Sequence, residues 1–326
     1  MPKHGTVAFI TTPEFRKAHA EQLEEFVYQH LYFLCRNFNV LTTGRTHDTV
    51  LKIVRRQMSL KQKEIVSQAT DLPIKSKAGR DVWVTTITQG MQKMASGIQG
   101  MILITHSLVE GNVDAVIHLT DWADVAGKPD SMVLRREANV HNVHIASDIN
   151  SAKSAIRKWG ALLQLGRQVF RTKKQPEEQP LAGLTADHEV LALIAHDGMK
   201  LDMCCFVVEH AQQIFRQFDF ILATGTTGQW IKKFMLAAGR NEDEVERVRC
   251  CQSGPRGGDV QIAAAVVKRI CRKVIFLQDP FVSHAHETDI RLFEQAVLLF
   301  ERAALQIEVE LATNVESAKM ILEPEA

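Results

Sequence analysis

The 326-residue sequence lacks several of the features by which a function is most often assigned. Its formal net charge is only +1, which argues against a nucleic-acid or membrane partner recognised through bulk charge. Its six cysteines show no Cys-x-x-Cys spacing, and residues 1–5 carry no secretory segment, so we expect a cytoplasmic protein with reduced thiols. Neither a Walker motif nor a Gly-x-Gly-x-x-Gly fingerprint occurs, so the two commonest nucleotide-binding loops find no support.

Length and patterning indicate two domains of one fold class. A chain of 326 residues is about twice the usual domain size. Apolar strand-like runs alternate with predicted amphipathic helices such as those at 18–33 and 200–215, a pattern typical of α/β proteins with mainly parallel sheets. We therefore predict two tandem three-layer α/β/α domains, residues 1–170 and 185–326. The polar stretch at 171–184 breaks the apolar periods and is predicted to be a linker.

Two glycine-rich loops in the second half are candidates for binding an anion. Residues 253–259, Ser-Gly-Pro-Arg-Gly-Gly-Asp, can turn tightly and point amide N–H groups at an oxyanion, with Asp259 beside them as a proton acceptor. Residues 224–228, Thr-Gly-Thr-Thr-Gly, lie between a strand-like run at 218–223 and a helix-like run at 229–238. That order brings free amides and the positive end of a helix dipole to the loop, as in a phosphate site.

Polar residues of catalytic type also follow two further strand-like runs of this half, 190–195 and 274–277. These residues are His196, Asp197, Lys200, Asp279, His286 and Asp289. Because the carboxyl ends of parallel strands line one crevice of an open sheet, we expect all four loops to converge there.

Taken together, these motifs resemble those of methylglyoxal synthase, which eliminates phosphate from dihydroxyacetone phosphate. The resemblance covers residues 190–322 and therefore leaves the first half of the chain outside it. Its pieces are Ala-His-Asp at 195–197 with Lys200, Ala-Thr-Gly-Thr-Thr-Gly at 223–228, Ser-Gly-Pro-Arg-Gly-Gly-Asp at 253–259, Asp-Pro at 279–280, His286, Asp289 and Ala-Thr-Asn at 312–314.

The resemblance implies Asp259 as the catalytic base and His286 as its acid or electrophilic partner. Enolisation of a hydroxyketone phosphate needs a base at the acidic carbon and a donor at the carbonyl oxygen, and a carboxylate and an imidazole fit these two roles. No step requires a metal or another cofactor, and inorganic phosphate is expected to bind as product or inhibitor. The residues that the resemblance assigns to the substrate are His196, Asp197, Lys200, Thr224, Gly225, Thr226, Thr227, Ser253, Gly254 and Asp289.

Two other interpretations stay open. The same fold serves as an effector-binding domain in carbamoyl phosphate synthetase and as a cyclohydrolase domain in purine synthesis. The alternative to an enzyme is therefore a non-catalytic regulatory protein that binds a phosphorylated metabolite. An effector site does not need an acid/base pair, so the presence of both Asp259 and His286 favours the enzyme. His284 and His286, with Asp289, also have a spacing that a metal site could use.

The first half repeats the order of the motifs in a weakened form. Residues 40–46 parallel residues 221–227, and residues 96–100 parallel the Ser253 loop. The replacements are Thr12-Pro13 for His196-Asp197, Arg16 for Lys200, Met101 for Asp259 and Lys128 near His286. A methionine cannot abstract a proton. We therefore predict that residues 1–170 form a degenerate methylglyoxal-synthase-like domain and residues 185–326 the catalytic one.

The duplication also suggests how copies of the chain assemble. The family that the second half resembles forms symmetric hexamers of single domains. A chain with two such domains fills the same positions with three copies, so we expect a homo-oligomer, and specifically a trimer.

Overall fold

The computed structural model describes residues 3–59, 77–121, 129–170, 179–279 and 309–322. The chain divides into two compact units, residues 1–175 and 176–326. Each unit contains a parallel sheet of five strands with flanking helices, so the predicted α/β class is confirmed. The interpretation of one unit as degenerate and the other as catalytic stays a prediction. None of the helices in these ranges has the length and apolar character needed to cross a membrane.

The first unit is built around a sheet with the strand order β3-β2-β1-β4-β5. Its strands are β1 (Thr6–Thr11), β2 (Asn39–Thr42), β3 (Met91–Lys93), β4 (Ala115–Leu119) and β5 (His144–Ala146). Its helices are α1 (Pro13–Ala18), α2 (Ala20–Phe26), α3 (Tyr32–Asn37), α4 (Gly44–Ser59), α5 (Lys77–Gly90), α6 (Gly97–Val109), α7 (Pro129–Val140) and α8 (Ile149–Gln164), with a π-helical turn at Val27–Leu31.

The second unit has the strand order β10-β9-β6-β7-β8. Its strands are β6 (Val190–Ala195), β7 (Phe220–Ala223), β8 (Val248–Cys250), β9 (Lys273–Leu277) and β10 (Glu310–Ala312). Its helices are α9 (Lys200–Glu209), α10 (Ala211–Gln217), α11 (Gly225–Ala237), α12 (Glu242–Glu246), α13 (Gly258–Val267) and α14 (Val315–Leu322). Two 3₁₀ turns, Asp197–Met199 and Gly254–Arg256, follow β6 and β8.

The central strands are apolar throughout because helices cover both faces of each sheet. All six residues of β6 are buried, as expected for a strand in the middle of a parallel sheet. In β1, Val7 and Phe9 pack into the apolar cluster on one face, and Ala8 and Ile10 pack into the cluster on the other. This alternation gives the first unit the three layers that the sequence predicted.

The two units share their sheet topology. When β1 is matched to β6 and the remaining strands follow in chain order, the two strand orders become identical. Individual hydrogen bonds match as well: Thr12 N donates to Leu119 O at 3.1 Å, and His196 N donates to Leu277 O at 3.1 Å. A duplicated unit would produce this correspondence.

Several predicted element boundaries were wrong. The helix expected over 200–215 is divided at His210, whose ψ of 9° is not helical. The helix expected over 18–33 is interrupted at His19 and contains the π-helical turn. Helix α11 begins at Gly225, four residues before the helix-like run expected at 229–238, because a Thr/Gly segment has weak helix propensity and tertiary contacts decide its conformation.

His30, in the π-helical turn, makes the stability of the first unit depend on pH. The residue is 6% exposed, and the centroid of its ring lies 5.1 Å from that of Phe26. Burial lowers the pKa of His30 from 6.5 to about 4, and the positive charges of Lys153 and Arg157 add to the effect. The folded-state pKa is depressed, so the stabilisation is present above about pH 6.5 and is lost as the pH falls toward 4.

We expect the free energy of unfolding to fall by about 1 kcal/mol between pH 7 and pH 5.5 on account of His30 alone. Denaturant titrations of the wild type and of His30→Leu at both pH values would measure this contribution, and the variant should show the shallower dependence. The same substitution at the exposed His4 is the control. Equal pH dependence in the wild type and His30→Leu would contradict the prediction.

Candidate functional site

Four loops of the second unit meet at one edge of its sheet. Strands β6, β7, β8 and β9 are parallel, so the loops that follow them all leave at the carboxyl edge. The strand order places the β6 loop between those of β9 and β7, with the β8 loop beside that of β7. The structure therefore brings the predicted residues His196, Thr224, Ser253 and Asp279 to the same edge.

The backbone of Gln252 joins the two glycine loops. Its carbonyl oxygen accepts a hydrogen bond from Gly225 N at 2.8 Å, which ties the β8 loop to the first residue of α11. A Cβ atom placed on Gly258 would lie 2.0 Å from that same oxygen, and one placed on Gly225 would lie 3.0 Å from Gln252 C. We call Gly225, Gln252 and Gly258 the glycine hub. Its two glycines are required because backbone atoms occupy the space of any side chain.

The Ser253 loop turns sharply so that α13 can begin inside the site. Gly254 starts a 3₁₀ turn, and Gly257 adopts φ = 96° and ψ = 12°, a left-handed conformation that favours glycine. Ser253 O accepts hydrogen bonds from Arg256 N at 2.8 Å and Gly258 N at 3.1 Å. The predicted tight turn is therefore present, and it delivers Asp259 to the first turn of α13.

The first turn of α11 presents backbone amides to the same edge. An α-helix leaves its first N–H groups without partners inside the helix, and the helix dipole adds positive potential there. The Thr224 hydroxyl does not cap these amides; it donates instead to Thr227 Oγ1 at 3.1 Å. Thr224 and Thr227 are buried, whereas Thr226 is exposed. This arrangement suits an oxyanion supplied from outside the chain.

The backbone after β9 orients His196. Asp279 N donates a hydrogen bond to His196 Nδ1 at 2.8 Å, and the imidazole ring packs edge-on against Phe276 with centroids 5.0 Å apart. Because Nδ1 is an acceptor, the neutral ring carries its proton on Nε2. His196 can therefore present an N–H donor while remaining uncharged.

Lys200 and Asp197 form an ion pair beside His196. Lys200 Nζ lies 2.5 Å from Asp197 Oδ1. The Lys200 side chain is 12% exposed, whereas that of Asp197 is 93% exposed. The Lys200 side chain is therefore largely buried, whereas the Asp197 carboxylate is exposed to solvent. This difference favours Lys200 over Asp197 as a group that contacts a buried anion.

Asp259 is a buried carboxylate, only 2% exposed. It lies in the first turn of α13, where the helix dipole favours a negative charge. It follows directly on the hub residue Gly258, so its main chain is held at the junction of the two loops. A buried carboxylate fixed in this way is a suitable general base.

The remaining predicted residues lie outside the part of the chain that the structure describes. These residues are His286 and Asp289, together with His284 of the alternative metal site and Lys128 of the first unit. Within the described ranges, no group of three or more His, Cys, Asp and Glu side chains is placed to hold a metal ion.

Two buried thiols of the second unit, Cys204 and Cys271, are unsuited as nucleophiles. Burial raises the pKa of the Cys204 thiol to about 11 and that of the Cys271 thiol to about 12, so neither is a thiolate at neutral pH. Cys204 packs in the core of the second unit, whereas its neighbour Cys205 is exposed.

The first unit keeps the backbone of this site and has Met101 in the place of Asp259. Gly44 N donates to Ala95 O at 3.0 Å, and a Cβ atom on Gly100 would lie 2.0 Å from Ala95 O, which reproduces the glycine hub. Met101 follows Gly100 as Asp259 follows Gly258. Arg16, the counterpart of Lys200, donates to Thr11 Oγ1 at 3.1 Å and also to the Thr11 carbonyl.

Sequence reasoning missed two glutamines at this edge. Gln252 supplies the central carbonyl of the hub, and Gln261 Oε1 accepts a hydrogen bond from Gln252 N at 2.7 Å. The available signal for Gln261 was a polar residue within the otherwise apolar segment of α13 after Asp259. Gln252 carried no signal, because its role belongs to its backbone.

Comparison with known proteins finds relatives for part of the chain. Methylglyoxal synthase of Thermus thermophilus is 40% identical over 134 residues, which are 41% of this chain and 92% of that protein. Methylglyoxal synthase of Clostridioides difficile is 39% identical over 133 residues, 40% of this chain and 83% of that protein. No protein-family model matches the chain.

The chain is also similar to solved structures. A crystal structure of methylglyoxal synthase from Elizabethkingia anophelis is 28% identical and covers 43% of this chain and 80% of that one. The TM-score of that match is 0.34.

Proposed function

The chain belongs to the methylglyoxal synthase family through about two-fifths of its length, and we propose on that premise that its second unit converts dihydroxyacetone phosphate to methylglyoxal and inorganic phosphate. The observation that carries the proposal is the glycine hub with the buried Asp259 beside it. The hub joins two loops suited to an anion, and Asp259 places a base next to them. The motifs that define the family resemblance all lie in this unit.

The phosphate group would be held by neutral and charged donors together. The amides of Thr226 and Thr227 lie in the first turn of α11, and Ser253 adds a hydroxyl from the neighbouring loop. The ammonium group of Lys200 supplies the charge-assisted hydrogen bond that a dianion requires. The same contacts would stabilise the phosphate as a leaving group.

The proton transfers are assigned to carboxylate and imidazole groups. Asp259 would remove a proton from the hydroxymethyl carbon beside the carbonyl, which gives an enediolate. His286, the proposed acid or electrophile, would stabilise charge on the carbonyl oxygen. The enediolate electrons then shift to form a double bond to the carbon that carries the phosphate. The carbon–oxygen bond to phosphate breaks, its electron pair leaves on the phosphate, and the resulting enol tautomerises to methylglyoxal. His196, with its proton on Nε2, would donate to a substrate oxygen.

The direct test is an assay of the purified protein with dihydroxyacetone phosphate. We expect methylglyoxal and inorganic phosphate to form in equal amounts, and the reaction to survive chelators because none of the assigned steps uses a metal. Binding of the substrate without turnover would favour the regulatory alternative over the enzyme. The cytoplasmic location and the homo-oligomeric state remain predictions.

Lys200 gives a test of the phosphate contacts. Replacing it with alanine removes one charged hydrogen bond, which contributes about 1.5–3 kcal/mol, so the Kd for inorganic phosphate should rise roughly tenfold to a hundredfold. Calorimetry with phosphate would measure the change. Lys233→Ala, at an exposed position of α11, is the control and should bind phosphate as the wild type does. An unchanged Kd in Lys200→Ala would exclude Lys200 from the site.

A further inference from the structure

The side-chain amide of Gln261 holds the glycine hub through a hydrogen bond to the backbone of Gln252. Gln261 is fully buried on α13, and its Oε1 accepts the hydrogen bond from Gln252 N at 2.7 Å. A backbone N–H can only donate, so the oxygen of the side-chain amide must face it. The Gln252 residue is therefore held on both sides, by Gln261 at its N–H and by Gly225 at its carbonyl.

We propose that Gln261 is a positioning residue for the anion-binding loops, an inference that rests on the proposed function. By holding Gln252, the Gln261 side chain fixes the position of Ser253 relative to the first turn of α11. It also ties both loops to α13, the helix that carries Asp259. One side chain thus links the phosphate contacts to the proposed base, although nothing places it in contact with the substrate.

The first unit shows that this hydrogen bond is not needed to build the hub. Gln261 lies three residues after Gly258, whereas the residue three positions after Gly100 is Leu103, which has no side-chain oxygen. The hub in the first unit forms nevertheless, with the same 2.0 Å approach at its second glycine. The unit with the carboxylate has the glutamine, and the unit with Met101 does not. A requirement of the fold alone would apply to both units, so the glutamine is better explained by the site.

The burial of Gln261 supports the same conclusion. Burying an amide costs free energy unless its polar atoms are hydrogen-bonded, and leucine at this depth avoids that cost. The neighbouring residues of α13, Val260 and Ile262, are fully buried and apolar. A polar residue kept in such surroundings indicates that the hydrogen bond to Gln252 serves the loops.

The test compares Gln261→Leu, which introduces the residue of the first unit, with Gln261→Glu, which keeps an acceptor oxygen. Hydrogen exchange followed by mass spectrometry would report on peptides covering 250–258 and 223–228, with a peptide covering 91–100 as the internal control. We expect exchange in the two site peptides to be about tenfold faster in Gln261→Leu, because one hydrogen bond is lost. It should stay near the wild-type rate in Gln261→Glu.

Inorganic phosphate is the ligand for the second readout. In Gln261→Leu its Kd should rise about tenfold, and the loss of kcat/KM for dihydroxyacetone phosphate should fall mainly on KM, since Asp259 is retained. Unchanged exchange in β6 would show that the second unit is folded. If β6 loses protection, Gln261→Met, which is closer in shape to glutamine, takes the place of the leucine variant.

The outcomes separate this inference from the proposed function. Exchange and phosphate affinity that are unchanged in a folded Gln261→Leu would overturn the positioning role, as would equally fast exchange in the leucine and glutamate variants. If the wild type binds no phosphate but Gln261→Leu alone accelerates exchange in the site peptides, the proposed function fails and the positioning of the loops by Gln261 stands.

Discussion

Replacing Asp259 with asparagine is expected to lower the turnover of dihydroxyacetone phosphate at least about a hundredfold, since the substitution removes a proton acceptor and keeps the shape of the side chain. Asp259 is 2% exposed in the first turn of α13, so asparagine fits the same space. Phosphate binding should persist or become tighter, because a negative charge beside the anion is lost. A coupled assay of methylglyoxal and calorimetry with phosphate would measure the two effects separately.

A carboxylate on the surface of the same unit provides the control for this substitution. Asp187 is exposed in the turn before β6, so Asp187→Asn should leave both turnover and phosphate binding at wild-type values. Near-full activity in Asp259→Asn would exclude this residue as the base. A parallel loss of turnover and of phosphate affinity would instead show that the substitution disturbs the loops.

Replacing Gly258 with alanine is expected to disrupt the site through the backbone. The new Cβ atom would lie 2.0 Å from Gln252 O and 2.9 Å from Gln252 C, and these main-chain atoms cannot rotate away as a side chain does. The loop must move, and the hydrogen bond from Gly225 N to Gln252 O is the first contact to break. Overpacking of this kind typically costs about 1–3 kcal/mol of unfolding free energy, and phosphate affinity should fall with it.

Two other glycines test the steric argument. Gly100 in the first unit makes the same 2.0 Å approach, to Ala95 O, so Gly100→Ala should destabilise the protein to a similar extent. Gly160 in α8 would place a Cβ atom 3.7 Å from the Phe33 ring, an ordinary contact, and alanine there should be neutral or stabilise by up to about 1 kcal/mol. Denaturant titrations would rank the variants. A Gly258→Ala variant as stable as Gly160→Ala would refute the argument.

The fold class could be predicted from the sequence because parallel sheets leave a strong local signal. A strand that is buried on both faces, such as β6, is apolar at every position. The change from such an apolar run to a polar turn marks where the strand begins and ends. The convergence of the four loops followed from the topology rule for parallel strands alone. Helix boundaries were harder, since the start of α11 at Gly225 depends on a hydrogen bond to Gln252, a contact between residues 27 positions apart.

The interior of the candidate site could be predicted only in part. Residue types at the loops pointed to an anion and a base, and the structure brings those loops to one edge. The hub itself is made by the main chain, and any residue can supply the carbonyl that Gln252 and Ala95 contribute. The hydrogen bond of Gln261 spans nine residues and a turn with a left-handed glycine. No pattern of residue types encodes such geometry.

The shared strand order of the two units bears on how the chain avoids misassembly. Because the two sheets have the same topology, a strand of one unit could pair with equal hydrogen-bonding geometry at the equivalent place in the other sheet. Misassembly of this kind is a characteristic failure of tandem repeat proteins. We expect differences between their buried residues to disfavour the exchange. His118 of β4 is fully buried where β9 carries Phe276, the ring that packs against His196. Exchanging β4 and β9 would place His118 where Phe276 packs against His196, so we expect divergence of this kind to favour correct pairing in both sheets.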